Sequence, residues 1–325
     1  MAETPRVVLI TGASAGIGRA TADRLQGSGW TVVGASRRGA SSGGWQGLTM
    51  DVDDYDDVAR GVSGVLSEHG RLDALVAAAG WGLAGPVEAT PIAEAKAQLE
   101  TNFWGAVRVV QASLPAMRER RAGRIVLVSS IGGLIALPFQ AFYSASKFAL
   151  EGYGEALAYE VRPFGIEVTL VEPGNFRTDF TAGRRRVTDT PDGAYAAASE
   201  KAIALMERDE TNGGSPEDVA ALVQRVLASS HPRRRVSVGK AGERVGIPAK
   251  RLLPHGLFEK AAASSLGVCA PRAEQGALGA SAGLRQDAGE DLGAGVLDVL
   301  GRGDQRDASR RCRVPESRHR LRCRR

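Results

Sequence analysis

Tyr143 and Lys147 stand four residues apart in FYSASKFALEGYGEAL (142–157), a stretch with helical spacing. Residues at i and i+4 share one face of a helix. An ammonium beside a phenol favours the phenolate, which draws the tyrosine pKa from about 10 toward working pH. A phenol held in this way gives a proton to an alkoxide or takes one from an alcohol. The same two residues also describe a half-buried tyrosine beside a snorkelling lysine, so the pair needs context.

A second pattern supplies some of that context. TGASAGIG (11–18) follows an apolar run and opens a helical stretch. Gly12 permits a tight turn, Gly16 lets the backbone approach a pyrophosphate, and Gly18 allows close helix–strand packing. Ser14 and Ile17 complete the loop, and the free N–H groups of a helix start suit phosphate. The pattern is that of a dinucleotide site. No metal is expected: His69, His231 and His255 are scattered, and Cys269, Cys312 and Cys323 all lie near the carboxyl end.

These residues need a frame to position them. RVVLIT (6–11), TVVGAS (31–36), LTMDV (48–52), LDALVAAAG (72–80), RIVLVSS (124–130), IEVTLVEPG (166–174) and RRVSVG (234–239) read as strands. Helical stretches separate most of them. That alternation predicts an α/β fold, a single Rossmann-type, doubly wound, seven-stranded parallel sheet with helices on both faces. One domain is expected over residues 1–267. SPEDVAALVQRVL (215–227) has the marks of a helix start, with Pro216 at the first helical position. The polar insertion 180–215, with a helical stretch near 194–209, reads as a substrate lid or an ordinary surface loop; RLLPHGLFEKAAASSLG (251–267) reads as a last helix, or, over 250–267, as a further lid element.

The net charge is +5 over 325 residues, but twelve arginines and eight acids fall in residues 268–325, leaving a nearly neutral body. The body therefore offers no electrostatic case for nucleic acid. Residues 268–325 are rich in Arg, Gly and Ala and contain no aromatic residue, so disorder is expected there. This tail reads as an inert or frame-shifted terminus, or as a basic arm for polyanions. No run of apolar residues reads as a membrane span and no secretory signal is visible, so a cytoplasmic protein is expected.

The set of motifs resembles the short-chain dehydrogenase/reductase family over residues 5–265. The resemblance implies a catalytic constellation of Ser130, Tyr143, Lys147 and Asn102. Ser130 lies 13 residues before Tyr143 and would bond the substrate oxygen. Asn102 would hold a relay water, and Lys147 would bind the nicotinamide ribose. Asp51 and Val52 match the family's adenine contact. Ala79 and Gly80 end the fourth strand where the family commonly has Asn-Asn-Ala-Gly. Pro173, Gly174 and Thr178 match its nicotinamide segment. NAD enzymes carry an acid at the end of the second strand, but this chain has Ser36-Arg37-Arg38. Arg37 suits a 2′-phosphate, which implies NADP(H) in preference to NAD(H).

SSIGGLIALPFQAFYSASKFALEGYGEAL (129–157) is similar to the 17β-hydroxysteroid and retinol dehydrogenase branch. It implies hydride transfer between NADP(H) and a ketone, aldehyde or alcohol, with a small apolar substrate such as a steroid or retinoid. Leu134, Ile135, Leu137, Phe139 and Trp81 are candidates for the pocket wall. The resemblance further implies a homodimer or homotetramer. The alternative reading is a non-catalytic NADP(H)-binding sensor or scaffold, which the retention of all four catalytic members argues against.

Overall fold

The first strand, β1 (Val7–Thr11), is VVLIT and is buried at every position. β-branched residues without a polar face suit a central parallel strand. A computed structural model describes residues 5–39, 43–188 and 190–265. The expected disordered tail, 268–325, lies outside the described residues.

β1 leads into α1 (Gly16–Gln26) and then β2 (Thr31–Ser36). β3 (Gln46–Thr49), α2 (Tyr55–His69), β4 (Ala74–Ala77) and β5 (Leu83–Ala84) follow. Next come α3 (Ile92–Leu99), α4 (Ala106–Glu119), β6 (Gly123–Val128) and α5 (Ala141–Val161). The chain continues through β7 (Ile166–Pro173), β8 (Arg185–Arg186), α6 (Ala196–Thr211) and α7 (Pro216–Ala228). β9 (Arg235–Val238), α8 (Ala241–Leu252) and α9 (His255–Ser265) complete the described residues.

Seven strands form one parallel sheet in the order β3-β2-β1-β4-β6-β7-β9. Side chains alternate across it. Leu9, Val33, Leu75, Leu127 and Leu170 pack with α2, α4 and α5 on one face. Ile10, Val32, Val76, Val126 and Val171 pack with α1 and α7 on the other. Each fully buried Leu or Val contributes roughly 1.5–3 kcal/mol, so the two layers fix both strand register and helix placement. The strand order reverses between β1 and β4, and the crevice beyond their carboxyl ends is where such sheets bind ligands.

Two local readings differ. β3 runs Gln46–Thr49, not 48–52, because β2 ends at Ser36, paired with Thr49. Met50 N bonds Ser36 O, and Asp51 and Val52 fall in the following turn. Residues 251–265 are not one helix: α8 begins at Ala241, and Pro254 precedes a separate α9. The insertion 180–215 carries β8, which pairs in parallel with β5, and the whole of α6. Among the described residues, no helix is long and apolar enough to cross a membrane.

Candidate active site

The glycine loop is shaped by positions that tolerate no side chain. Gly12 has φ +70°, and a Cβ there would lie 2.8 Å from Ala79 Cα. A Cβ on Gly18 would lie 2.3 Å from the Gly12 carbonyl oxygen. Gly16 has φ +52° and faces Thr178, whose side chain would be 3.3 Å from a Cβ. Thr11 Oγ1 accepts from the Ala78 and Ala79 N–H groups at 3.1 and 3.2 Å. That hydroxyl ties β1 to the Ala77-Ala78-Ala79-Gly80 segment without the asparagines common at this place.

The start of α1 differs from those of α2 and α7. Asp54 caps α2 by accepting from Asp57 N, and Ser215 caps α7 by accepting from Glu217 N. Ala15 gives α1 no side-chain cap, and no acid lies in its first turn. Its first N–H groups are left for a ligand anion. The glycine cradle and these N–H groups fit a dinucleotide pyrophosphate.

A cleft of about 700 Å³ opens at this crevice. Every residue expected to bind cofactor lines it, from Gly12 to Thr178, including Arg37 and Asp51. Arg37 and Arg38 are exposed, with no ion-pair partner among the described residues. Asp51 Oδ1 accepts from Asp53 N at 3.1 Å. Ser130, Tyr143 and Lys147 line the same cleft.

α5 carries the reactive pair. Tyr143 is only 8% exposed and Lys147 only 6%. Burial is the largest influence on the phenol and raises it above the usual tyrosine value. The nearby Ser130 hydroxyl and the Arg184 cation oppose that rise, while Glu210 adds to it. The sequence led us to expect Lys147 to lower this pKa. The lysine instead points its Nζ at Val128 O, 2.9 Å away, with the Tyr143 ring centroid at 6.0 Å. Burial lowers Lys147 itself to about 8, against a smaller opposing pull from Glu151.

Ser130 lies two residues past the end of β6, as the N-cap of a short 3₁₀ turn, Ile131–Gly133. Its Oγ accepts from Gly132 N at 3.0 Å, and its hydroxyl donates to Pro173 O at 3.4 Å. The neighbouring Ser129 is buried and its Oγ has no partner. Of the two serines, Ser130 lies near enough to the phenol to influence its titration.

Asn102 sits in a π-helical turn, Glu100–Gly105, between α3 and α4. Such turns displace one residue from the regular helical face and are frequent at functional sites. Its Oδ1 accepts from Trp81 N at 3.0 Å, and its Nδ2 donates to Trp81 O at 3.0 Å and Ser146 Oγ at 3.2 Å. The side chain therefore clamps the chain just past Gly80. Asn102 does not line the cleft, unlike the other three members.

The far end of the cleft comprises residues that the sequence did not single out. Phe180 packs edge-on against Tyr143, with ring centroids 5.6 Å apart. The Arg184 guanidinium lies 5.7 Å from the Phe180 ring, is fully buried, and pairs with Glu210 and, at 3.6 Å, with Glu207. Arg185 stacks on Trp81 at 4.3 Å and pairs with Glu94 at 3.0 Å. Of the expected wall residues, Leu137 and Trp81 line the cleft, and Leu134, Ile135 and Phe139 do not. Leu134 O accepts from Lys250 and Ile135 packs beside Gly246, so α8 covers them.

A family model described as short chain dehydrogenase matches residues 6–188. The chain belongs to the short-chain dehydrogenase family. This dehydrogenase is 40% identical over 259 residues to a 3-ketodihydrosphingosine reductase from Bacteroides thetaiotaomicron, covering 79% of this chain and 96% of the relative. It is 37% identical over 261 residues to retinol dehydrogenase 8 from Bos taurus, covering 73% and 83%. A solved short-chain dehydrogenase from Streptomyces avermitilis superposes with a TM-score of 0.70 at 32% identity, covering 82% and 98%. Members of the family use NAD or NADP, and the dehydrogenase is an oxidoreductase acting on CH–OH groups.

Proposed function

We propose that this dehydrogenase uses NADP(H) to reduce the carbonyl of an apolar, lipid-like substrate, with Tyr143 as the proton donor. The observation that carries this reading is the meeting of Ser130, Tyr143 and Lys147 in the cleft that also contains the glycine loop. A non-catalytic sensor would have no use for a buried phenol and a buried lysine lining one cleft with a serine.

The chemistry that the cofactor supplies when bound is hydride transfer to the carbonyl carbon. The protein orients both reactants and supplies the proton. The glycine loop and the start of α1 hold the pyrophosphate. Arg37 and Arg38 favour the 2′-phosphate, because an exposed guanidinium can bond it where an acid would repel it. Lys147 holds the nicotinamide ribose. Ser130 and Tyr143 bond the substrate oxygen, and Tyr143 delivers its proton as negative charge develops there. Burial keeps the phenol in its acid form at neutral pH, the form that reduction requires. Asn102 fixes the Gly80–Trp81 segment through its two Trp81 bonds.

Trp81, Leu137 and Phe180 give the far end of the cleft an apolar wall. That wall, and relatives named for a ketosphingoid and for retinol, support a bulky lipid-like ketone or alcohol. Exposed Trp104, Phe148 and Tyr159 on the π-helical turn and α5 support a homodimer or homotetramer through that face.

The test is a panel of long-chain and cyclic ketones, assayed with NADPH and NADH. Tyr143→Phe should lower kcat at least about 100-fold, the low end for a positioned acid–base group, with NADPH affinity nearly unchanged. Arg37→Asp should raise KM for NADPH about tenfold and leave that for NADH within about twofold, a tenfold change being about 1.4 kcal/mol. Full activity in Tyr143→Phe would overturn the mechanism, and equal effects of Arg37→Asp on both cofactors would overturn the NADP assignment.

A further inference from the structure

Gln140 is 3% exposed, lines the cleft, and its Nε2 has no hydrogen-bond partner. It is the N-cap residue of α5, three positions before Tyr143, yet its side chain makes no capping bond. A buried amide without a partner is costly, and most are paired. The backbone around it is tightly held. Gln140 N donates to Leu137 O at 3.1 Å, Ser144 N donates to Gln140 O at 2.8 Å, and Leu137 N donates to Ser144 Oγ at 3.1 Å. The preceding residue, Phe139, has φ +58°, and its carbonyl accepts from Gly85 N at 2.8 Å. A bulky side chain at positive φ is an outlier, and such strain gathers at functional sites. The chain thus bends through an unfavourable residue and holds a buried, unused amide donor on a residue that lines the cleft.

We infer that Gln140 is a substrate-specificity residue, whose amide hydrogen-bonds a hydroxyl or amino group carried beside the carbonyl being reduced. This rests on the proposed carbonyl reduction. Ser130 and Tyr143 take the reacting oxygen, so the Gln140 amide is left for a neighbouring substituent. The unpartnered group is the Nε2 donor, which suits a lone pair on a hydroxyl or neutral amine better than a hydrocarbon. Glu210 also lines this cleft and acts electrostatically on Tyr143. Its two oxygens are held by Thr181 and Arg184, so the Gln140 amide, not this carboxylate, is left for the substituent. Trp81, Leu137 and Phe180 leave room for an apolar chain. The substrate class is a long-chain ketone with an amino or hydroxyl group on an adjacent carbon.

The experiment compares 3-ketodihydrosphingosine with octadecan-3-one, which has the alkyl ketone but neither polar substituent. The ratio of their kcat/KM values is measured with NADPH for the wild type and Gln140→Met, a substitution of similar volume. In parallel, calorimetry measures binding of dihydrosphingosine and octadecan-3-ol to the NADP-loaded protein. The wild-type ratios should favour the amino compounds at least tenfold, and Gln140→Met should reduce that preference at least tenfold, as expected when a buried polar partner is lost. Preference ratios within twofold of wild type in Gln140→Met, or no wild-type preference, overturn the inference. If Gln140→Met fails to bind NADPH, Gln140→Asn, whose amide is withdrawn by one methylene, must show the same loss of preference. Wild type that turns over neither ketone but still prefers the amino alcohol would overturn the proposed reaction and leave Gln140's role standing.

Discussion

The two ends of the cleft are built on different principles. The cofactor end is mostly backbone: a glycine loop, the uncapped start of α1, and the carboxyl ends of β1 and β4. The substrate end is mostly side chains from distant segments: Trp81 after β4, Leu137 and Gln140 before α5, Phe180 and Arg185 in the insertion, and Glu210 on α6. Backbone recognition demands that side chains be absent, which only glycine at fixed spacing can satisfy. Side-chain recognition can be met by many residue types from many places. The first end therefore tolerates almost no change, and the second can be altered to suit another substrate.

The sharpest way to break this contrast is at Gly18. A Cβ there would sit 2.3 Å from the Gly12 carbonyl oxygen, so α1 would have to move away from the loop. Gly18→Val should weaken NADPH binding more than about 100-fold and cost roughly 1–3 kcal/mol of stability through overpacking. Fluorescence titration and thermal denaturation measure the two effects. Affinity within threefold of wild type would show that the loop does not set the cofactor position.

The same contrast explains what could be read from the sequence. Gly12, Gly16 and Gly18 announce themselves, because turn, close approach and packing are local demands. Tyr143, Lys147 and Ser130 do meet in one cleft, since helix spacing and strand ends fix them relative to the sheet. The pKa of Tyr143 was not legible. It depends on burial and on Glu210 and Arg184, which arrive from elsewhere in the chain. Nor was the π-helical turn at Asn102, whose signal lies in contacts to Trp81 rather than in periodicity. Gln140 had only one local sign, its place immediately before α5; its missing partner appears only in three dimensions. The wall residues Leu134 and Ile135 were misplaced because α8, which covers them, starts ten residues earlier than the helix expected at 251–267.

The substrate end should respond separately. Arg184 is fully buried, pairs with Glu210 and Glu207, and packs on the Phe180 ring that touches Tyr143. Removing one partner of a buried pair leaves the other uncompensated. That cost should appear first as local opening of the insertion rather than global unfolding. Arg184→Leu should raise the ketone KM about tenfold, or about 1.4 kcal/mol, and leave the NADPH dissociation constant within about twofold. A comparable loss of NADPH affinity would show that the two ends are one mechanical unit.

The change per pH unit should be small where the two ends meet, at Lys147. Its folded-state pKa is lowered from 10.5 to about 8, chiefly by burial. A lysine with a depressed pKa binds fewer protons folded than unfolded between these two values. Stability should therefore rise with pH across that window, and below about pH 8 the buried ammonium imposes its full penalty. Other groups titrate over the same range, so the informative quantity is wild type minus Lys147→Met. That difference should climb between pH 8 and 10 by somewhat less than about 1.4 kcal/mol per unit, the limit for one proton. Urea denaturation at half-unit steps would resolve it. A flat difference would place the ammonium in a better-solvated setting than its contact with Val128 O implies, and a falling one would mean that its attraction to Glu151 outweighs burial.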